Sequence, residues 1–188
     1  MTATAINQVT RVLQARLAAV IGTDEVYIGP PVAEDVGTRK LCLFLFHIVA
    51  NQTMRNEPRY VSPAGDANGP LTETEALPLD LRYLLSVFRT AGVGGNGNAD
   101  PDELVTLGQA VQALHERPFV EDARITVEPY SMEELSRVWG LFPQTSYRTS
   151  MVYLVSPVTV ELDPPVTGAP VVRRSNRQGS MQPGPVLP

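Results

Sequence analysis

Leu41-Cys-Leu-Phe-Leu-Phe-His-Ile-Val-Ala50 is a run of ten almost unbroken apolar residues. Leu79-Asp-Leu-Arg-Tyr-Leu-Leu-Ser-Val-Phe88 answers it, with Leu79, Leu81, Tyr83, Leu85 and Val87 on one parity. A short apolar run reads either as a strand buried on both faces or as a buried helix segment. The Gly29-Pro30-Pro31 break upstream and the aromatic content favour a strand for 41–50. The period of two in 79–88 predicts a strand with one face on a core. Two such strands set the centre of a sheet, and the rest of the chain is read as what flanks it.

Upstream, Ile6, Val9, Val12, Leu13, Leu17, Val20 and Ile21 recur at three and four, which predicts a helix closed by Gly22. Val26-Tyr27-Ile28 is a short strand. Between the two apolar strands, 51–78 holds Pro58, Pro63, Gly65, Gly69, Pro70 and Pro78, and reads as a long irregular connection. Downstream, Gly92–Ala99 (GVGGNGNA) lacks both the Gly-Lys-Ser/Thr ending and the strand–GxGxxG–helix layout, so it reads as a loop and not a phosphate cradle. Asp100-Pro101 then starts a helix, Asp as N-cap and Pro as first residue. Its predicted buried stripe is Leu104, Leu107, Val111 and Leu114, with Gly108 allowing close approach of a neighbouring backbone and Pro118 stopping it. Arg124–Glu128 is a strand. Ser131-x-x-Glu134 is a capping box opening a short helix with Leu135, Val138 and Trp139, ended by Gly140. Trp139 reads as core, or alternatively as an exposed interface anchor. Tyr147–Glu161 is one long strand, or two bent at Pro157.

The expected architecture is a single α+β domain: a mixed sheet with about three helices packed on it, followed by a flexible Pro-rich tail. The 188 residues suit one such domain, 43% hydrophobic composition suffices for a core, and 19% charge is too low for a solvated disordered chain. The domain spans 1–162 and the tail 163–188. The tail holds Arg173, Arg174 and Arg177 against Asp163, or +2, which leaves −7 on 1–162 out of a net −5. It reads as a disordered end or as a basic strap on an acidic neighbouring subunit.

Several function classes fall away. An acidic chain is a poor nucleic-acid binder. No apolar run reaches the roughly 18–20 residues of a membrane span, and no export signal is expected at the N-terminus. One cysteine, Cys42, and two histidines, His47 and His115, exclude a disulfide and a Cys- or His-rich metal site. Cys42 and His47, five apart on one strand, are expected on opposite faces and so not as a nucleophile–base pair. His115 closes a helix, where an imidazolium suits the dipole. No catalytic, cofactor or metal residue is expected, and the residues alone read as a domain that is not an enzyme.

Four segments in order carry a resemblance, the last of them in two parts. They are Asn51–Asn56 (NQTMRN), Leu77–Leu85 (LPLDLRYLL), Leu107–Pro118 (LGQAVQALHERP), Ser131–Trp139 (SMEELSRVW) and Gln144–Tyr153 (QTSYRTSMVY). Together, over about residues 4–162, the chain resembles the N-terminal domain of the tail-terminator, or cap, proteins of phage-tail-like contractile injection systems, the antifeeding-prophage and Photorhabdus virulence-cassette type. The resemblance implies a homohexameric ring that ends the inner tube and anchors the last layer of sheath. Its partners would be its own copies, tube protein and sheath protein, without cofactor or nucleic acid. It would be assembled in the bacterial cytoplasm and then form part of the particle. The matching positions are Asn51, Arg55, Asn56, Pro78, Leu79, Asp80, Leu81, Tyr83, Gly108, Leu114, Pro118, Glu134, Leu135, Trp139, Gln144, Tyr147 and Tyr153, mostly fold-defining. Candidate contacts to subunit, tube or sheath are Tyr147, Arg148, Glu161, Arg173, Arg174 and Arg177. The final strand with the tail is the candidate for strand exchange with sheath, and the tail is expected outside the shared pattern. The alternatives are a baseplate or tube-initiator component of the same particle, and a small cytosolic ligand-binding module or enzyme.

Overall fold

The computed structural model of the chain describes residues 4–57, 59–61, 72–74, 76–88 and 101–161. Helix α1 (Ala5–Ile21) leads through a 3-10 turn (Thr23–Glu25) into β1 (Val26–Ile28), a four-residue helix α2 (Ala33–Val36) and β2 (Leu41–Ala50). A small hairpin, β3 (Arg59–Val61) and β4 (Thr72–Thr74), precedes β5 (Ala76–Val87). Then come α3 (Pro101–Glu116), β6 (Phe119–Val120), β7 (Ala123–Glu128), α4 (Met132–Trp139) and β8 (Ser150–Glu161). Six strands form one mixed sheet in the order β1-β2-β5-β8-β7-β6, with β1 parallel to β2 and the other pairs antiparallel. The α+β single domain with a mixed sheet is as expected; among the described residues it carries four helices, α2 being the addition.

The alternation of β5 sorts the core. Leu79, Leu81, Tyr83, Leu85 and Val87 lie in one apolar cluster with Val9, Leu13 and Leu17 of α1 and Leu114 of α3. Leu84 and Phe88 lie in the other, with Cys42, Val152, Val36 of α2 and Leu135 and Trp139 of α4. Met151, Tyr153 and Val155 share the first face as their parity predicts. Each fully buried large apolar side chain contributes roughly 1.5–3 kcal/mol, so the two-faced burial of β2, β5 and β8 is what the sheet rests on.

Several details differ from the expectation. The connection 51–78 contains the β3–β4 pair, and β5 begins at Ala76 rather than Leu79. Pro78 is tolerated inside that strand because of what stands opposite. Asn51 N–H donates to the Pro78 carbonyl (2.9 Å), while the Asn51 carbonyl accepts from Arg55 N–H (3.1 Å) and so asks nothing of residue 78. β2 is buried on both faces only over Leu41–Leu43; His47, Ile48 and Ala50 are exposed. In α1, Val20 is 46% exposed, and in α3, Leu104 is 59% exposed, while Ala110, Ala113 and Leu114 are buried. The small alanines, which a stripe count overlooks, are what let α3 approach closely. Gly108 is exposed, and a Cβ there would meet nothing within 4 Å, so no neighbouring backbone requires it. Gly29 is required: its φ is +151°, and a Cβ would come within 2.6 Å of the Tyr27 hydroxyl.

Candidate interaction surfaces

Two irregularities in the central strands gather the polar residues. In β2, the register passes from Leu45 opposite Tyr83 to His47 opposite Arg82, so Phe46 is an extra, bulged residue. In β8, it passes from Val155 opposite Leu81 to Val158 opposite Leu79, and Asp80 faces the step that contains the cis Ser156–Pro157 bond. The second irregularity makes room for a junction. The Asn51 side-chain amide donates to Asp80 Oδ1 (2.8 Å) and Ser156 Oγ (3.1 Å), and the Ser156 hydroxyl donates to the same Asp80 oxygen (2.5 Å). Asn51 Oδ1 accepts from the N–H groups of Thr53 and Met54 and folds the chain back on itself. One asparagine thus ties the end of β2 to β5, β8 and the following turn. Beside it, Arg82 makes a two-pronged pair with Glu128 (Nε–Oε2 2.7 Å, Nη2–Oε1 2.9 Å), and this bond to Glu128 raises the Arg82 pKa.

The first irregularity corrects one expectation. With Phe46 bulged, His47 meets Arg82 (3.5 Å) on the face that also carries Cys42, not the opposite one. The two remain five residues apart along the strand. The Cys42 thiol donates to the Gly29 carbonyl (3.3 Å), and burial pushes its pKa up to about 12. A nucleophilic cysteine needs a thiolate, so this one is a packing residue. His115 lies exposed in the last turn of α3, its ring 6.0 Å from that of Tyr153. Among the described residues no group of three His, Cys, Asp or Glu side chains could hold a metal, and no helix is long and apolar enough to cross a membrane.

The remaining predicted positions divide between core and surface. Leu79, Leu81, Leu114, Leu135, Tyr83 and Tyr153 are buried. The Tyr83 hydroxyl bonds Thr10 Oγ1 (2.9 Å); Thr10 already spends its proton on the Ile6 carbonyl, so Tyr83 donates. Tyr153 Oη has no hydrogen-bond partner among the described residues, and burial raises its pKa to about 12. Pro118 accepts at its carbonyl from Ile125 N–H (2.7 Å), which pins the end of α3 to β7. Trp139 is core, 5% exposed, its indole N–H donating to Ser150 Oγ (3.1 Å). The capping box is present: Ser131 Oγ accepts from Glu134 N–H, and Glu134 accepts from Ser131 N–H (2.8 Å), which holds the Glu134 carboxyl below its usual pKa. Arg55, Asn56 and Gln144 are exposed. Tyr147 is 47% exposed with its ring 5.8 Å from Trp139, and the Arg148 guanidinium lies 5.6 Å over the Phe88 ring. Glu161 ends β8 opposite Ala76. Arg173, Arg174 and Arg177 lie outside the described residues.

Strand exchange through the whole of β8 meets an obstacle that only the sheet order reveals. Over Val152–Ser156, β8 is bonded to β5 on one side and β7 on the other. The edges of the sheet are β1 and β6; β1 was legible as a short strand, but its edge position was not, and the two residues of β6 carry no pattern.

The model of one family, the Pvc16 N-terminal domain, matches residues 5–174, running past residue 162 into the stretch expected to lie outside the shared pattern. Among solved structures, a sheath/tube terminator (PVC, extended state) of an extracellular contractile injection system matches with a TM-score of 0.63 and 20% identity, over 97% of this chain and 66% of that one. The tube-terminating cap of the anti-feeding prophage matches with a TM-score of 0.59 and 19% identity, over 89% of this chain and 59% of that one. The chain thus spans less than two thirds of the length of either. Comparison with curated proteins gives no significant sequence match.

Proposed function

Since the chain belongs to the Pvc16 N-terminal domain family, we propose that it is a structural cap of a contractile injection particle. In this reading six copies close a ring that ends the inner tube and anchors the terminal sheath layer. The observation that carries it is the fold shared with a sheath/tube terminator over 97% of the chain. The role is non-enzymatic: the one thiol is buried and protonated, and the polar cluster Asn51–Asp80–Ser156 is spent on joining three strands. The copies are made in the bacterial cytoplasm and end as part of the particle. Tyr147 and Arg148, at the rim of the α4 face, and the basic residues of 163–188 are the side chains offered to neighbours, the tail acting as a strap on the acidic domain of the next copy.

Production of the particle with and without this protein tests the reading. With it, tubes and sheaths of one length closed by a six-fold ring are expected in negative-stain images; without it, lengths become heterogeneous. Uniform lengths in its absence would overturn the proposal.

A further inference from the structure

The two ends of the sheet differ in charge. Beside β1, a cleft of about 370 Å³ opens between the strand and the first half of α1, with Asn7, Thr10, Arg11, Gln14, Tyr27 and Arg39 in its wall. In a parallel pair, alternate residues of an edge strand bond inward. Gly29 N–H donates to the Leu43 carbonyl and the Glu25 carbonyl accepts from Lys40 N–H, so Val26 and Ile28 turn their backbone groups outward along the cleft. Among the described residues Arg11 bonds Gln14 Oε1 (3.3 Å); Arg39 bonds the main-chain carbonyls of Asp35 and Val36 (both 3.4 Å) and lies 5.5 Å over the Tyr27 ring. Neither arginine pairs with a carboxylate among the described residues. A cleft walled by two guanidinium groups that no carboxylate neutralises suits an acidic protrusion that enters it side chains first.

The opposite edge supplies one, in the form of a tight turn. β6 and β7 are joined by the two-residue turn Glu121-Asp122, closed by Val120 opposite Ala123. Both acids are exposed, and neither has a cationic partner among the described residues. Glu121 has φ +52°, the one non-glycine with positive φ among the described residues, at a position whose backbone glycine would fit with less strain. Phe119, beside the turn, is 54% exposed. The two edges are tied through one helix: Arg16 of α1, which walls the cleft, donates to the Arg117 and Phe119 carbonyls (2.5 and 2.6 Å).

We propose that the β6–β7 turn of one copy seats in the β1 cleft of the next, Glu121 and Asp122 meeting Arg11 and Arg39. This rests on the ring reading and specifies its subunit contact. A closed ring needs two different patches on opposite sides of the protomer, as the two edges of one sheet provide. A two-fold contact of either edge with itself would set like charges together. Copies whose residues 1–162 carry −7 repel in general, so a local pairing of opposite charge fixes which surfaces meet.

Charge reversal of the full-length protein tests it, read by native mass spectrometry alone and by negative-stain imaging on tube ends. R11E/R39E and E121R/D122R are each expected to weaken ring assembly at least ~10-fold. The mixture of the two restores rings of alternating composition, because each acidic cleft then meets a basic turn and each basic cleft an acidic one. The fourfold variant, carrying all changes in one chain, also restores assembly. All four side chains are exposed, so melting temperatures serve as a folding control and stay close to the parent's. Parent-like rings from both double variants, or loss that neither the mixture nor the fourfold variant rescues, would overturn this contact and leave the cap reading standing. A parent that forms no ring even with tube and sheath present overturns the ring reading and this contact with it.

Discussion

Cys42 stays a thiol far above neutral pH because it is walled in between α2, α4 and the sheet. In the unfolded chain a cysteine ionises near 8.5. The folded pKa of about 12 lies above that, so the unfolded state loses its proton first. Stability is therefore full below about pH 8.5 and falls as pH rises toward 12. Tyr83, at about 12, adds a second loss that begins near pH 10. A thermal melt series from pH 7 to 11 should show a decline starting near pH 9, and Cys42→Ala should flatten its first part. A decline unchanged by that substitution would remove the cysteine from the account. Asp80 makes a different claim. Asp80→Ala leaves the Asn51 amide and the Ser156 hydroxyl without their shared acceptor, which costs about 1–3 kcal/mol by urea denaturation. Asn51 and Asp80 stand in the sequence as separate matching positions; that they touch was not legible, since it depends on the register of β2 against β5, and their third partner, Ser156, lies 76 residues beyond Asp80.

Helices show where reading by pattern succeeds and where it stops. α1 and α4 follow their signals, a three–four apolar stripe closed by Gly22 and a capping box before Leu135. Ser131→Ala should cost about 1 kcal/mol in denaturant titration. The Glu134 part of that box has a lowered pKa, so its contribution is present above the unfolded carboxyl range and disappears as pH falls through the folded value. α3 departs from its signals: Leu104 fits the stripe, yet the apolar core takes side chains of this helix only from Leu107 onward among the described residues. Leu104→Ala should thus change stability by less than about 0.5 kcal/mol, and Leu114→Ala should cost about 2–5 kcal/mol. Gly108→Ala should raise stability by up to about 1 kcal/mol, because nothing occupies the space its Cβ would take. A destabilised G108A protein would mean that this glycine faces a neighbour present only in an assembly. Strands were legible where apolar parity is long, as in β5. β3, β4 and β6, of three, three and two residues, are too short to carry a period.

At the scale of the molecule, charge and core are distributed unevenly, and that separates folding from assembly. Every core residue among the described ones lies between Ala5 and Val160. The last 26 positions, 163–188, carry +2 against −7 on the rest. A chain cut after residue 162 should therefore melt within a degree or two of the parent, a change of under about 0.5 kcal/mol. If the tail is a strap on the acidic domain of the next copy, the same cut weakens ring assembly, and the loss is largest at low ionic strength, where exposed charges act over longer distances. A cut after residue 174 retains Arg173 and Arg174 and the whole family-matched stretch, and should assemble nearly as the parent does. Measured side by side at 50 and 500 mM salt, the three chains give an ordered outcome: parent and 1–174 alike, 1–162 weaker, and the gap closing in high salt. Equal assembly of all three at low salt would take the strap out of the ring and leave the Arg11–Arg39 cleft and the Glu121–Asp122 turn as the charged contact that holds the copies together.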